Sequence, residues 1–394
     1  MYNAVMEIKK ERFVALDVLR GLTMVIMALD HSRDFFALGF VYYAPTDIDL
    51  TNLGVFFTRW ITHFAAPVFM FLAGIGLFFA SGRRSKNELA YLAISRGVWL
   101  IFLELTLVGF FWAFSPEFIY HPKVAVLFAI GISMIFMGFL IYLPKYLIAI
   151  IALTLVFGHN LLDPISAESF GSYSWVWNLL HSPGSFYIGD IEVKVVYPFI
   201  PWIGVMALGF LFGPVTKMSR EKRKKIFLYT GLALLAFGLV LRYTNIYGDP
   251  ALWREYATFS STMMSFLNFT KYPPSLIYLS VFIGIAMILI SLFDRDLGSW
   301  SNPLRDFGQV PFFFYVIHIP LLHLGGIALA TLVFGDASWL FGVPLGHSPE
   351  GFSYASQLAP TYIAWVLALV LLYYPSRWFA DLKKKRKDWW LSYL

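Results

Sequence analysis

About ten apolar segments, each long enough to cross a bilayer, divide this chain and leave it few ways to fold. Their approximate limits are 13–31, 55–80, 90–114, 124–143, 145–162, 195–215, 225–243, 273–293, 309–334 and 359–378. The fifth is the weakest, being short and ending in Gly158-His159-Asn160. The composition agrees: 59% of the 394 residues are hydrophobic and 14% charged, where soluble domains carry about a quarter charged. The expected fold is therefore all-α and polytopic, one domain over 1–394 built as a single bundle of about ten transmembrane helices. Residues 174–188, with Trp175, Trp177 and Phe186, read as an interfacial segment rather than a span.

Basic residues set the expected orientation. Lys9, Lys10 and Arg12 precede the first span, and Arg83, Arg84 and Lys86 follow the second. Further groups lie at Lys217–Lys225 and at Arg377 with Lys383–Lys387. Counted with Lys145, Arg295 and Arg305, about 21 of the 30 Lys and Arg fall on one side, which puts both termini in the cytoplasm. The short amino-terminal stretch 1–12 and the tail 379–394 are then cytoplasmic. The apolar run after residue 12 is too long for a signal-peptide core and lacks a cleavage site, so it reads as retained. The Lys383–Lys387 run beside Trp389 and Trp390 suits anionic membrane lipid, not nucleic acid. The chain has no cysteine, which removes disulfides, thiolate metal sites and cysteine nucleophiles from consideration.

Ionisable residues inside apolar spans are costly and hence candidates for function. The first span carries Asp17 and Arg20 near one end and Asp30 and His31 near the other, so Asp17 and His31 stand roughly 21 Å apart along the helix. Depth then sorts the remaining candidates into two layers. Arg20 and Arg96 fall in the inner half, where guanidinium groups can hold phosphates. Asp30, His31, His63 and Glu104 fall in the outer half, and His318 near mid-membrane with His323 beyond it. An imidazole there can act as a general base toward an amine or hydroxyl, and a carboxylate from Asp30 or Glu104 can fix its tautomer. Each residue also has a plain structural role open to it. Asp17 and Arg20 can simply pair, and the histidines can serve helix packing. No local HxxxH or HExxH is present, so a metal site is not expected, and no glycine loop for ATP or NAD is seen.

The segment Arg12-Phe13-x-x-Leu16-Asp17-x-Leu19-Arg20-Gly21, followed by an apolar run to His31, resembles the start of membrane acyltransferases. The spacing from Asp17 to His31 is similar to that of the bacterial acyltransferase-three family, whose first-helix histidine is thought to be catalytic. Four further motifs bring the chain closer to the bacterial family related to heparan-α-glucosaminide N-acetyltransferase. They are Ala66-Pro67-Val68-Phe69-Met70-Phe71-Leu72-Ala73-Gly74, Ile200-Pro201-Trp202-Ile203-Gly204-Val205-Met206, Lys271-Tyr272-Pro273-Pro274-Ser275-Leu276, and Phe307-Gly308-x-Val310-Pro311-x-Phe313-x-Tyr315-x-x-His318. The lysosomal enzyme of this family has Asn in place of His31, and its histidine lies further on, near Tyr42 and Tyr43.

The resemblance implies an acyltransferase of the bacterial plasma membrane. It would move an acyl group, acetyl first among them, from cytoplasmic acyl-CoA to an amine or hydroxyl of an outer acceptor such as a glycan. His31 is the expected base, with Asp30, His63, Glu104 and His318 as the other catalytic candidates. Arg20, Arg96, Asp17 and Trp202 are the expected donor-binding set, and no metal is expected. Self-association is left open. The alternative reading is a proton-coupled transporter using the same buried groups as a relay.

Overall fold

The computed structural model describes residues 13–36, 44–342, 358–386 and 388–393. The stretch 1–12 with Arg12, the Tyr42-Tyr43 position, His347 and Lys387 lie outside the described residues. The chain begins with α1 (Val14–Phe36), α2 (Leu53–Thr62), α3 (Ala65–Ser81), α4 (Lys86–Leu103) and α5 (Gly109–Ala113). Strand β1 (Lys123–Val124) leads to α6 (Val126–Leu140), α7 (Lys145–Phe157) and the short α8 (Ser174–Leu180). Strands β2 (Gly184–Ile188) and β3 (Ile191–Val195) precede α9 (Ile200–Phe212), α10 (Arg220–Thr244), α11 (Phe259–Leu267) and α12 (Leu276–Phe293). The chain closes with α13 (Asn302–Gln309), α14 (Pro311–Phe334) and α15 (Ala359–Lys385).

Every one of the ten expected segments is helical. Among the described residues, seven helical runs are long and apolar enough to cross a membrane: 53–81 through α2 and α3, 86–113 through α4 and α5, 200–217, and α10, α12, α14 and α15. The other three differ for physical reasons. Helix α1 has 23 residues but carries Asp17, Arg20, Asp30, Arg33 and Asp34, while α6 and α7 are apolar but only 15 and 13 residues long. Helix α1 also continues past the expected end at His31, so that His31 lies within a helical turn and not at its edge.

The outward surface shows what surrounds the bundle. Ile150 and Leu153 on α7, Leu232 and Val240 on α10, and Ile363, Leu367 and Leu371 on α15 are all exposed. Such continuous apolar surface would aggregate in water but is the natural face toward lipid. Inside, small residues let helices meet closely, as expected where helix packing rather than water exclusion drives association. A Cβ on Gly74 of α3 would sit 2.0 Å from the Met206 carbonyl oxygen of α9, and one on Gly209 would sit 2.1 Å from that of Phe71. The apolar motifs around Gly74 and Met206 are thus the two halves of one helix contact.

Residues 174–188 form the short helix α8 and strand β2, neither of them long enough to be a span. Strand β2 pairs antiparallel with β3, and β3 pairs parallel with β1. The polar alternation of Ile191-Glu192-Val193-Lys194-Val195 and the Gly189-Asp190 turn, with Gly189 at φ 59°, carry the hairpin signature. This small sheet brings Lys123 and Lys194 side by side at the mouth of α6.

Candidate active site

Helix α1 forms the spine of the site. Near its start it touches α13 directly: a Cβ on Gly21 would lie 1.8 Å from the Leu304 oxygen, and one on Gly308 would lie 1.9 Å from the Asp17 oxygen. Only glycine permits that approach. Arg20 uses it, donating to the Gly308 carbonyl at 3.0 Å while pairing with Asp17 at 3.3 Å. The sequence motif around Asp17 and Gly21 therefore has a packing role, and Asp17 holds Arg20 in place.

Arg20, Arg96, Trp99 and Tyr393 line one end of a cavity of about 350 Å³. Its middle is apolar, walled by Met24, Met27, Phe69, Ala73, Gly76, Leu100 and Ile130. Its far end is formed by Asp30, His31, Tyr197, Lys271 and Tyr315. A second cavity of about 330 Å³ starts from these same five residues and is lined further by Arg33, Arg59, Glu104, Trp112, His121, Lys123 and Tyr272. Arg20 and Arg96 of the expected inner layer and Asp30 and His31 of the outer one thus line the first cavity, whereas His63 and Glu104 do not, and His31 stands where both cavities meet.

Asp30 does not bond to His31. Its carboxylate accepts from Arg59 at 2.7 Å to each oxygen and from Thr62 at 2.8 Å, and it pairs with Arg33 at 2.6 Å. Arg33 also reaches Asp34 at 2.6 Å. These bonds tie α2 to α1, and the expected role of Asp30 in fixing the imidazole gives way to a structural ion cluster. Removing one partner from a buried cluster of this kind leaves uncompensated charge. Asp30→Ala is expected to lower stability by about 3–5 kcal/mol. A thermal melt in detergent checks it, with partial recovery expected when Arg59→Met is added.

His31 instead meets another histidine. Its Nδ1 lies 2.6 Å from Nε2 of His318 on α14, the two rings meeting end to end with their centroids 4.9 Å apart and their planes only 19° apart. The edge of Trp112 closes the other side at 5.1 Å. His63, by contrast, lies at the turn between α2 and α3, where its carbonyl accepts from Tyr278 and its ring abuts Tyr278 and Phe282. It lines neither cavity. Glu104 lines the second cavity, but its carboxylate accepts the Leu127 N–H at 2.7 Å and the Phe128 N–H at 3.3 Å, capping the start of α6. Trp202 is fully buried against Tyr197 and borders neither cavity. His323 bonds the carbonyls of Phe111 and Leu340 between the rings of Phe35 and Phe114, a packing role.

Two further residues belong to the site although sequence reasoning passed them over. Lys271 is buried, lines both cavities, and rests over the Tyr272 ring at 5.2 Å. Burial pushes its ammonium below the ordinary lysine range, opposed by Tyr272 and reinforced by Arg59. Arg59 lies within the expected span 55–80, but its bond to Asp30 needs the fold. Lys271 stands in the Lys-Tyr-Pro-Pro motif, the one signal that could have found it.

A helical membrane protein with a polar junction between two cavities defines the general class, an integral-membrane protein with a site inside its helices. Comparison makes the class specific. The family model described as heparan-alpha-glucosaminide N-acetyltransferase, catalytic, matches residues 12–241, and the chain belongs to that acetyltransferase family. A comparison with curated proteins gives no match.

Proposed function

We propose that this protein is a membrane acetyltransferase that takes its acetyl group from acetyl-CoA on the cytoplasmic side and passes it to an amine or hydroxyl acceptor, a glycan foremost, on the opposite side. The observation that carries this reading is the meeting of the two cavities at His31. In it the Arg20 and Arg96 end faces the cytoplasm, as the basic clusters suggest, and both termini share that side. Ten crossings complete the topology, with α1, α6 and α7 added to the seven long apolar runs.

An acyl-CoA is polyanionic at one end and thin and apolar toward the thioester. Arg20 and Arg96 offer charge-assisted bonds to its phosphates at the inner mouth. The apolar wall of the first cavity suits the pantetheine arm, which would carry the carbonyl to the junction. The acceptor would enter the second cavity. There His31 takes a proton from the acceptor as its nitrogen or oxygen bonds to the thioester carbon. The carbon–sulfur bond then breaks and CoA leaves as the thiol, taking that proton from His31. Lys271 lines the same junction, and its ammonium suits stabilisation of the negative charge that develops on the carbonyl oxygen. Positioning the two reactants at one junction supplies a large share of the barrier reduction. The family favours group transfer over the transport reading.

The test is release of free CoA from acetyl-CoA by the purified protein, with glucosamine as the acceptor probe. Arg20→Ala is expected to weaken acetyl-CoA binding, whereas Lys384→Ala on the exposed tail leaves it unchanged. Equal binding by folded Arg20→Ala and wild type would remove Arg20 from the donor site and leave it as the partner of Asp17 and Gly308.

A further inference from the structure

The hydrogen bonds around His318 decide which nitrogen of His31 can act. Its Nδ1 lies 2.6 Å from the Tyr315 carbonyl oxygen and 3.2 Å from that of Phe314. Carbonyl oxygens only accept, so this nitrogen carries a proton. His318 is wholly buried, and no carboxylate among the described residues stands at ion-pair distance from it. A second proton on its ring would bury an unpaired charge. Its Nε2 is then a lone pair, and the contact of 2.6 Å to His31 requires His31 to donate from Nδ1. The Nε2 of His31 makes no hydrogen bond among the described residues, while His31 itself lines both cavities.

We infer that His318 is a positioning residue that holds His31 in the Nδ1–H tautomer and so makes Nε2 the atom that takes the acceptor's proton. This rests on the reading of His31 as the base. The chain of donors ends at the Tyr315 carbonyl, so His318 orients the imidazole and passes no proton onward. The place a carboxylate holds in many such pairs is taken by a neutral imidazole. When His31 gains its second proton at Nε2, its Nδ1–H still donates to His318, and the proton leaves again with the CoA thiol. His318 lies beyond residue 241, so the part of the chain outside the family match completes the site within it.

The first test needs no activity. In protein labelled with ¹⁵N-histidine and held in lipid nanodiscs, His31 should show a protonated Nδ1 and an unprotonated Nε2, its signals being those lost in His31→Ala. A free imidazole favours the opposite tautomer, so His318→Leu should move the proton to Nε2. With acetyl-CoA and glucosamine, His318→Leu should lower kcat on the order of 10²-fold with KM for acetyl-CoA nearly unchanged. His318→Gln places an amide oxygen where Nε2 stands and should recover at least a tenth of wild-type kcat. Wild-type His31 protonated at Nε2 would overturn the inference, and so would full turnover in His318→Leu. Should His318→Leu not fold, the wild-type spectrum still decides. If His31→Ala is inactive while the tautomer is wrong, the base reading stands and the pairing falls. If His31→Ala turns over normally, both fall.

Discussion

Replacing His31 by alanine is expected to lower acetyl transfer by about 10² to 10⁴ while acetyl-CoA binding and detergent stability stay close to wild type. The separation follows from where His31 sits. Its ring is shared between two cavities and, among the described residues, bonded to His318 alone, whereas the stabilising ion cluster runs through Asp30, Arg33 and Arg59. Loss of the imidazole thus removes a proton acceptor without unpairing a buried charge. Initial rates of CoA release, set beside a binding isotherm for acetyl-CoA, check both halves. Near-normal rates in the folded variant would move the base elsewhere. Lys271 then becomes the first group to substitute, because it lines the same junction, whereas His63 is turned away from it.

The second large effect comes from closing the path to that junction. Gly76 of α3 lies on the wall of the first cavity, and a Cβ built on it meets nothing within 4 Å. Gly76→Trp can therefore fold with its indole in the cavity, unlike a bulky residue at Gly74, which would strike the backbone of α9. With the donor's route filled, kcat/KM for acetyl-CoA is expected to fall by about 10²-fold or more. Gly76→Ala should behave as wild type. A folded Gly76→Trp protein with unchanged kcat/KM would mean that the donor reaches His31 by another way.

Much of this architecture is legible in the residues. Apolar runs gave the helices, because lipid forces backbone polar groups to pair within each segment. Depth along those helices separated Arg20 and Arg96 from Asp30 and His31, and the first cavity spans that separation. Lateral neighbours were beyond reach. Nothing in the local pattern tells that His31 faces His318, 287 positions away, because helices α1 and α14 are brought together by packing among many apolar surfaces of similar character. The same limit explains Asp30, whose nearest sequence partner for catalysis was His31 but whose bonds go to Arg59 and Thr62 on another helix. Glu104 looked like a catalytic carboxylate because it is buried in an apolar helix. Its work is to cap α6, and that depends on a widened helical turn at Glu104–Val108 with no clear sequence mark. The hairpin after α8 was readable from its turn and alternation, but aromatic residues on either side pointed toward an interface.

The meeting of donor and acceptor at His31 is tested most directly by a cryo-EM structure of the protein with an acetyl-CoA analogue whose thioester sulfur is replaced by a methylene group. The expected density has the nucleotide phosphates beside Arg20 and Arg96, the pantetheine arm along Met24, Ala73 and Gly76, and the acetyl carbonyl at the junction with His31. Phosphates seated in the second cavity, beside Lys123 and Lys271, would contradict it.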